Sequence, residues 1–229
     1  MKIKSDNDRI FKNGDFHEMI SETVFSVSEI PETKREKYFS VAENTVKTTT
    51  IQAITDRAEQ GRIVALNFAN AMYAGGAYVL GGNAQEESLC RASMLYYTIR
   101  TQKDYYRRNR LHVLPDYTDV MIYSENVPII RDDSGKLLNG KIMCDFITCP
   151  AVNRTFARFM FSDKKINNIM YSRIKNIIML ALEKKTDILI LGAFGCGMFG
   201  NRRETVLPMF EKIINKYVPD SVEVIFAIP

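Results

Sequence analysis

Two stretches of the chain combine residue types that could do chemistry. The first, Ala65 to Arg91, runs through Asn67-Phe68-Ala69-Asn70 into Gly75-Gly76-Ala77 and Gly81-Gly82, then into Gln85-Glu86-Glu87. The second sets Gly192, Gly195, Gly197 and Gly200 around Ala193, Phe194, Cys196, Met198 and Phe199. Glycine in such a loop supplies positive φ angles and leaves no Cβ between the backbone and a ligand. A strand that runs into a glycine loop and then a helix start brings unpaired N–H groups and the positive end of the helix dipole to one point, which suits a phosphate. Two such loops at the ends of two strands are hard to account for by core packing, so together they predict a phosphate-bearing ligand. No Gly-Lys-Ser/Thr follows the first loop and no G-x-G-x-x-G occurs, which argues against a nucleoside triphosphatase and a dinucleotide dehydrogenase. A plainer reading of the first helix start remains: Glu86 and Glu87 suit the dipole by themselves, and Glu87 stands four residues ahead of Arg91, the spacing of a surface ion pair.

The elements that must hold these loops can be read from periodicity. Ile63, Val64, Ala65, Leu66 and Phe68 predict a strand before the first loop, and a helix from Glu86 is expected to continue to Ile99. Asp187 to Leu191 is the clearest strand of the sequence and leads into the second loop, after which Val206, Phe210, Ile213 and Tyr217 mark a helix. Upstream, residues 1 to about 30 carry apolar positions at broadly helical spacing, and a polar segment from Pro31 to about Thr48 reads as loop or edge strand. A helix from about Thr49 to Gln60 is expected to stop at Gly61. Val120-Tyr123 and Val127-Ile130 read as two short strands, and Cys144-Cys149 as a buried one. A long amphipathic helix begins at Phe161 and buries Ile166, Met170, Ile174, Ile177 and Ala181. Val222 to Phe226 forms a last strand. Strands separated by helices argue an α/β sheet covered on both faces, with ligands at the carboxyl ends of its strands.

Composition narrows the field. The 229 residues with 46% hydrophobic content fit one domain, and 31 basic against 27 acidic side chains give a net charge of +4 without a polyanion-coating field. Arg107, Arg108 and Arg110 beside Tyr105 and Tyr106 are the one cluster that could suggest nucleic acid, and a solvated face explains it more simply. Cys90, Cys144, Cys149 and Cys196 lack metal or disulfide spacing and read as reduced thiols. With His17 and His112 as its two histidines, the chain offers no zinc cluster and a poor basis for a histidine triad. There is no apolar signal core and no run near the roughly 20 apolar residues of a membrane span, so a soluble cytoplasmic protein is expected.

Ala69 to Ser93 resembles the signature of the microbial-type poly(ADP-ribose) glycohydrolases, a branch of the macrodomain superfamily, in which a glycine triplet is followed by Gln-Glu-Glu. Gly75-Gly76-Ala77 stands for the triplet, with Ala77 in place of the third glycine. Asn67 to Asn70 is similar to the strand end of many macrodomains, Tyr117 to Asp132 to a Tyr-Ser-x-x-Val-Pro segment, and Gly192 to Asn201 to the second ligand loop. The resemblance implies a three-layer α/β/α sandwich around a mixed, mostly six-stranded sheet; the helical spacing upstream makes residues 1–45 an expected N-terminal helical extension on a single domain spanning 1–229. It implies hydrolysis of the ribose–ribose bond of poly(ADP-ribose), with Glu87 as general acid and Glu86 orienting ribose hydroxyls. Asn67, Asn70, Gly75, Gly76, Ala77, Gln85, Gly192, Gly195, Cys196, Gly197 and Met198 would bind substrate, and Phe199 would lie against a ribose. Cys196, which a glycine loop could otherwise activate as a nucleophile, becomes a small loop-packing residue in this reading. No cofactor and no metal are implied, and the expected partner is ADP-ribose or poly(ADP-ribose) on proteins, bound by a monomer with no membrane or direct nucleic-acid contact. A mono-ADP-ribosyl hydrolase and a non-catalytic ADP-ribose reader are the alternatives. An acid at a helix N-terminus must be held protonated against the dipole, and partial burial, the Glu86 charge and the bound diphosphate are expected to do so.

Overall fold

The computed structural model describes residues 2–33 and 35–229. In chain order it contains α1 (Lys2–Asn13), β1 (Ile20–Val24), β2 (Thr45–Val46), α2 (Thr50–Asp56), β3 (Ile63–Phe68), a 3-10 turn (Tyr78–Leu80), α3 (Gln85–Ala92), α4 (Leu95–Ile99) and α5 (Lys103–Leu111). It continues with β4 (Met121–Arg131), β5 (Leu137–Cys149), α6 (Arg154–Ala157), α7 (Asp163–Glu183), β6 (Ile188–Leu191), α8 (Arg203–Tyr217) and β7 (Glu223–Ala227). Among the described residues the strands form one mixed sheet in the order β1-β4-β5-β3-β6-β7-β2. Pairing is parallel from β5 through β2 and antiparallel between β1, β4 and β5.

The two-residue alternation of strand side chains builds the layers. Val64 and Leu66 of β3, Leu189 and Leu191 of β6, and Val224 and Phe226 of β7 face α7 and α8 in one core. Ile63 and Ala65, Ile188 and Ile190, and Ile225 and Ala227 face the opposite core, which α2, α3, α4 and α5 cover. With both faces covered, the central strands have no solvent side, which is why they read as continuous apolar runs. The result is a three-layer α/β/α sandwich. The α7 stripe is core as expected: Ile166, Ile174 and Ile177 are fully buried, and truncating one to alanine would cost about 2–5 kcal/mol.

Several local expectations are corrected. The sheet has a seventh strand, the short edge piece β2. Residues 15–30 are not helical; Ile20–Val24 pairs with Met121–Glu125 as an edge strand, because tertiary pairing overrides a loose helical spacing. α2 ends at Asp56, well before Gly61, and starts where Thr49 Oγ1 accepts the Gln52 N–H at 3.0 Å. The helix expected over 86–99 breaks at Ser93, whose extended backbone pairs with Ile129 while Met94 N–H donates to Pro128 O. The two strands expected over 120–130 are one, β4, bent where Asn126 takes φ 54° and the register shifts. α7 begins at Asp163 rather than Phe161, capped by Ser162. Tyr105 and Tyr106 are buried, so the aromatics beside Arg107 belong to the core.

Candidate active site

β3 and β6 are neighbours in the sheet, Val64 lying opposite Leu189, so the two glycine loops leave adjacent strand ends and face each other across a cleft of about 690 Å³. Asn70, Ala77, Gln85, Glu86 and Glu87 line it from the first side, and Gly195, Cys196, Gly197, Met198 and Phe199 from the second. Asn67, Gly75, Gly76 and Gly192 lie outside its lining and act from behind it.

The glutamate pair is buried at the start of α3, Glu86 2% and Glu87 7% exposed. Glu86 is carried inward because it shares a helix face with Leu89 and Cys90, both packed in the core. Its Oε2 accepts the Asn70 N–H at 2.7 Å and its Oε1 lies 3.4 Å from Asn67 Nδ2. Asn67 reaches it because alternation along β3 turns this residue toward α3, where its amide also donates to Thr148 Oγ1 at 3.1 Å on the paired strand. Asn67 therefore positions Glu86 from beneath the cleft. Burial pushes the Glu86 carboxyl up to about 8, against the lowering effect of Asn70 and Asn67, with the adjacent Glu87 adding to the rise. The Glu86 charge expected to hold a proton on its neighbour is thus largely absent at neutral pH.

Glu87 is anchored differently. Its Oε1 accepts the Ala77 N–H at 2.8 Å, whereas Oε2, itself buried, has no hydrogen-bond partner among the described residues. The ion pair with Arg91 does not form: Arg91 donates to Gly82 O and, at 2.8 Å, to Ser88 Oγ, so it closes the end of the glycine loop instead. Gly76 explains why the loop needs glycine. It takes φ 55°, and a Cβ there would sit 2.5 Å from Glu87 Oε1 and 3.2 Å from Glu86 Oε2. Ala77 needs no such freedom, since its φ is −91°; alanine at the third position leaves the backbone and its N–H where Glu87 uses them. Gly75, at φ 71°, gives way to Tyr96 and Cys90 rather than to the cleft.

Gln85 is a clamp. Its Oε1 accepts the Phe68 N–H at 2.9 Å and its Nε2 donates to Leu66 O at 2.8 Å and Thr50 Oγ1 at 3.2 Å, tying α3 to the end of β3 and to α2. Asn70 Oδ1 likewise accepts the N–H groups of Met72 and Tyr73 and starts the first loop as an Asx turn.

In the second loop Gly195 takes φ 71° with Ala151 and Asn201 pressed against it, and Asn201 Nδ2 donates to Val152 O and Gly195 O. A Cβ on Gly197 would meet nothing within 4 Å. Phe199 packs near Tyr117, ring centroids 5.9 Å apart. Burial raises the Cys196 thiol to about 11, which leaves it protonated and unsuited to nucleophilic attack at neutral pH. Among the described residues no group of three or more His, Cys, Asp or Glu is placed to hold a metal ion.

Sequence reasoning missed several neighbours of the cleft. Thr49, Thr50 and Ile51 at the start of α2, Asp133 and the chain end at Ile228 and Pro229 line it, with Thr49 Oγ1 donating to Asp133 Oδ2 at 2.6 Å. Arg203 is the one basic side chain among the described residues of the lining. A signal for it existed: arginine in a first helical turn opposes the dipole and calls for a nearby anion. Asn7 was also missed. It is the buried residue of α1, its Nδ2 donates to Arg91 O at 3.0 Å and approaches Tyr78 OH at 3.4 Å, and its Oδ1 accepts from Arg131 Nε at 2.9 Å. Tyr78 begins the turn that Ala77 leads into, so α1 braces the Glu87 loop from outside.

The sandwich, the facing loops and the buried glutamate pair define a macrodomain-type protein. A profile described as "Microbial-type PARG, catalytic domain" matches residues 1–132. The poly(ADP-ribose) glycohydrolase (PARG) of Deinococcus radiodurans, solved in complex with ADP-ribose, is 33% identical with a TM-score of 0.75, over 80% of this chain and 75% of that one. The Thermomonospora curvata enzyme, solved with the inhibitor ADP-HPD, is 27% identical with a TM-score of 0.81, over 99% and 92%. No curated protein matches the chain. The chain belongs to the microbial-type poly(ADP-ribose) glycohydrolase family.

Proposed function

We propose that this protein hydrolyses the ribose–ribose O-glycosidic bond of poly(ADP-ribose) and releases ADP-ribose, with Glu87 as the general acid. The observation that carries the assignment of the acid is the asymmetry of the pair: both Glu86 oxygens are engaged inside the protein, whereas Glu87 is fixed by one oxygen and keeps the other free. In the reaction the bond between the anomeric carbon and the 2′ oxygen of the next unit breaks, Glu87 gives its proton to that leaving oxygen, and positive charge develops on the ribose that bears the anomeric carbon. A water held by the substrate's diphosphate adds to the anomeric carbon and returns a proton to Glu87. Two glutamates adjacent on one helix cannot flank the bond from opposite faces, so no second carboxylate activates that water.

Glu86, largely neutral at pH 7, orients ribose hydroxyls through a carboxyl that can donate as well as accept. The amides of Gly195 to Met198 and the Arg203 guanidinium take the diphosphate, and Phe199 lies against the distal ribose. Asn70 and Ala77 contact substrate, and Asn67, Gln85, Gly75, Gly76 and Gly192 keep the two loops in shape. Residues 1–229 act as a single catalytic unit in the cytoplasm; among the described residues no helix is long and apolar enough to cross a membrane. Incubation with poly(ADP-ribose), alongside substrates bearing single ADP-ribosyl groups, tests the activity: free ADP-ribose from the polymer is expected, and its absence under conditions where a T. curvata-type enzyme is active would overturn the reading.

A further inference from the structure

The segment that follows β5 and packs against the second loop presents a surface that the hydrolytic chemistry does not use. After α6 the helical bonding continues for a turn, Phe159 N donating to Phe156 O at 3.1 Å and Met160 N to Ala157 O at 2.9 Å. That spacing puts Phe156 and Phe159 on one side of the segment with Met160 beside them, 62%, 75% and 59% exposed, while Ala157 is fully buried. The segment is fastened to the cleft wall: Thr155 N donates to Phe199 O at 3.2 Å and Thr155 Oγ1 lies 3.4 Å from Met198 O. Met198, itself exposed, extends the apolar surface to the cleft lining.

Its charge gives the surface a direction. The Arg158 guanidinium lies 4.8 Å from the Phe159 ring centroid and the Lys165 ammonium 3.9 Å from that of Phe161. Arg154 is paired with Asp163, but Arg158, Lys164 and Lys165 form no ion pair with a carboxylate among the described residues. Exposed rings interleaved with unneutralised cations are how proteins hold a flexible strand of flat bases and phosphates, stacking on the rings and pairing with the cations. A protein partner recognised by apolar contact alone would leave these cations unused.

We propose that Phe156, Phe159 and Arg158, backed by Lys164 and Lys165, form an outer subsite for the part of the polymer beyond the scissile bond, stacking adenine on the phenylalanine rings and pairing diphosphate with the cations. This rests on the glycohydrolase reading and deepens it: the preferred substrate is the polymer rather than a single ADP-ribosyl group. The test compares two substrates of the 229-residue chain, long poly(ADP-ribose) and an aryl riboside of ADP-ribose with 4-nitrophenol at the anomeric carbon, which has no adenine or diphosphate beyond the bond to be cleaved.

Phe156→Ala/Phe159→Ala and, separately, Arg158→Gln should lower kcat/KM on the polymer, the double variant by roughly ten- to a hundredfold from the loss of base stacking. Aryl riboside turnover and ADP-ribose affinity should stay within about twofold, an allowance set by the size of ordinary surface-substitution effects. Because these side chains are exposed, thermal unfolding should not change, and the single-site Arg158→Gln variant carries the test if it does. Equal losses on both substrates, or none on the polymer, would overturn the proposal. So would binding of single-stranded poly(A) that the substitutions abolish while leaving polymer hydrolysis unchanged, which would make the surface a nucleic-acid platform separate from the substrate. Self-association abolished by the substitutions without any change in polymer hydrolysis would assign the face to a second copy. If wild type cleaves neither substrate, the failure lies in the glycohydrolase reading.

Discussion

Gly76→Ala separates the geometry of the glutamate pair from the general cost of a left-handed residue. At φ 55° an alanine pays about 1–2 kcal/mol of conformational energy. Its Cβ would also lie 2.5 Å from Glu87 Oε1, and ordinary contact begins near 3.4 Å, so the carboxyl must retreat by about 0.9 Å (3.4 − 2.5). The Ala77 N–H that holds it at 2.8 Å cannot follow without reshaping the loop. A misplacement near 1 Å in a reacting group costs on the order of 10²-fold in rate. Gly81→Ala is the control: its φ is 85°, but its Cβ would meet nothing within 4 Å, so it carries the conformational cost alone. Measured as kcat for ADP-ribose release, with unfolding midpoints alongside, both variants should lose stability, Gly76→Ala the more, and only Gly76→Ala should lose about two orders of magnitude in kcat. Equal kcat losses would show that the loop's general order, rather than contact with Glu87, is what glycine provides.

Other substitutions probe the remaining supports. Gly197→Val, with normal φ and open space around its Cβ, should leave the unfolding midpoint unchanged but weaken ADP-ribose binding by calorimetry by about 1.4 kcal/mol or more, a factor of ten; unchanged affinity would remove the second loop from the ligand. Asn7→Ala strips Arg131 Nε and Arg91 O of a buried partner and should cost roughly 1–3 kcal/mol in denaturant unfolding, and kcat should fall more than ADP-ribose affinity does if α1 braces the Glu87 loop. Glu86 holds its proton to about pH 8 when folded and to near 4.5 when unfolded, so it stabilises the fold at low pH and that contribution drains away as pH rises between these values. The stability difference between wild type and Glu86→Gln, followed by thermal unfolding, should therefore shift against wild type from pH 5 to pH 8; a difference independent of pH would contradict the raised pKa.

The fold was legible where pattern and burial coincide. β3 and β6 stood out as continuous apolar runs because both of their faces are covered, and α7 as a stripe because one of its faces is. Legibility failed where pairing partners decide the conformation. Ile20–Val24 is a strand because β4 offers an edge, and Ser93 breaks a helix because Ile129 and Pro128 take its backbone; neither partner can be identified from local spacing. The site shows the same division. Glycine placement and a family motif marked two loops and two glutamates that the structure brings to one cleft, whereas local spacing gave no sign that the Asn67 side chain meets Glu86 and Thr148 or that Gln85 ties α3 to β3 and α2. Arg203 and Asn7 reach the site only through tertiary packing, and the Glu87–Arg91 pair gave way to a loop carbonyl that local helix geometry does not reveal.

The central claim, that Glu87 delivers the proton to the leaving oxygen, is tested most directly by leaving-group dependence. Glu87→Gln keeps the size of the side chain and an oxygen for the Ala77 N–H, so ADP-ribose affinity should remain within a few-fold. Turnover of poly(ADP-ribose) should fall by roughly 10²- to 10⁴-fold, whereas the 4-nitrophenyl riboside, whose leaving group departs without a proton, should lose far less. Equal losses on the two substrates, or full polymer turnover in Glu87→Gln together with its abolition in Glu86→Gln, would contradict the assignment and place the proton on Glu86.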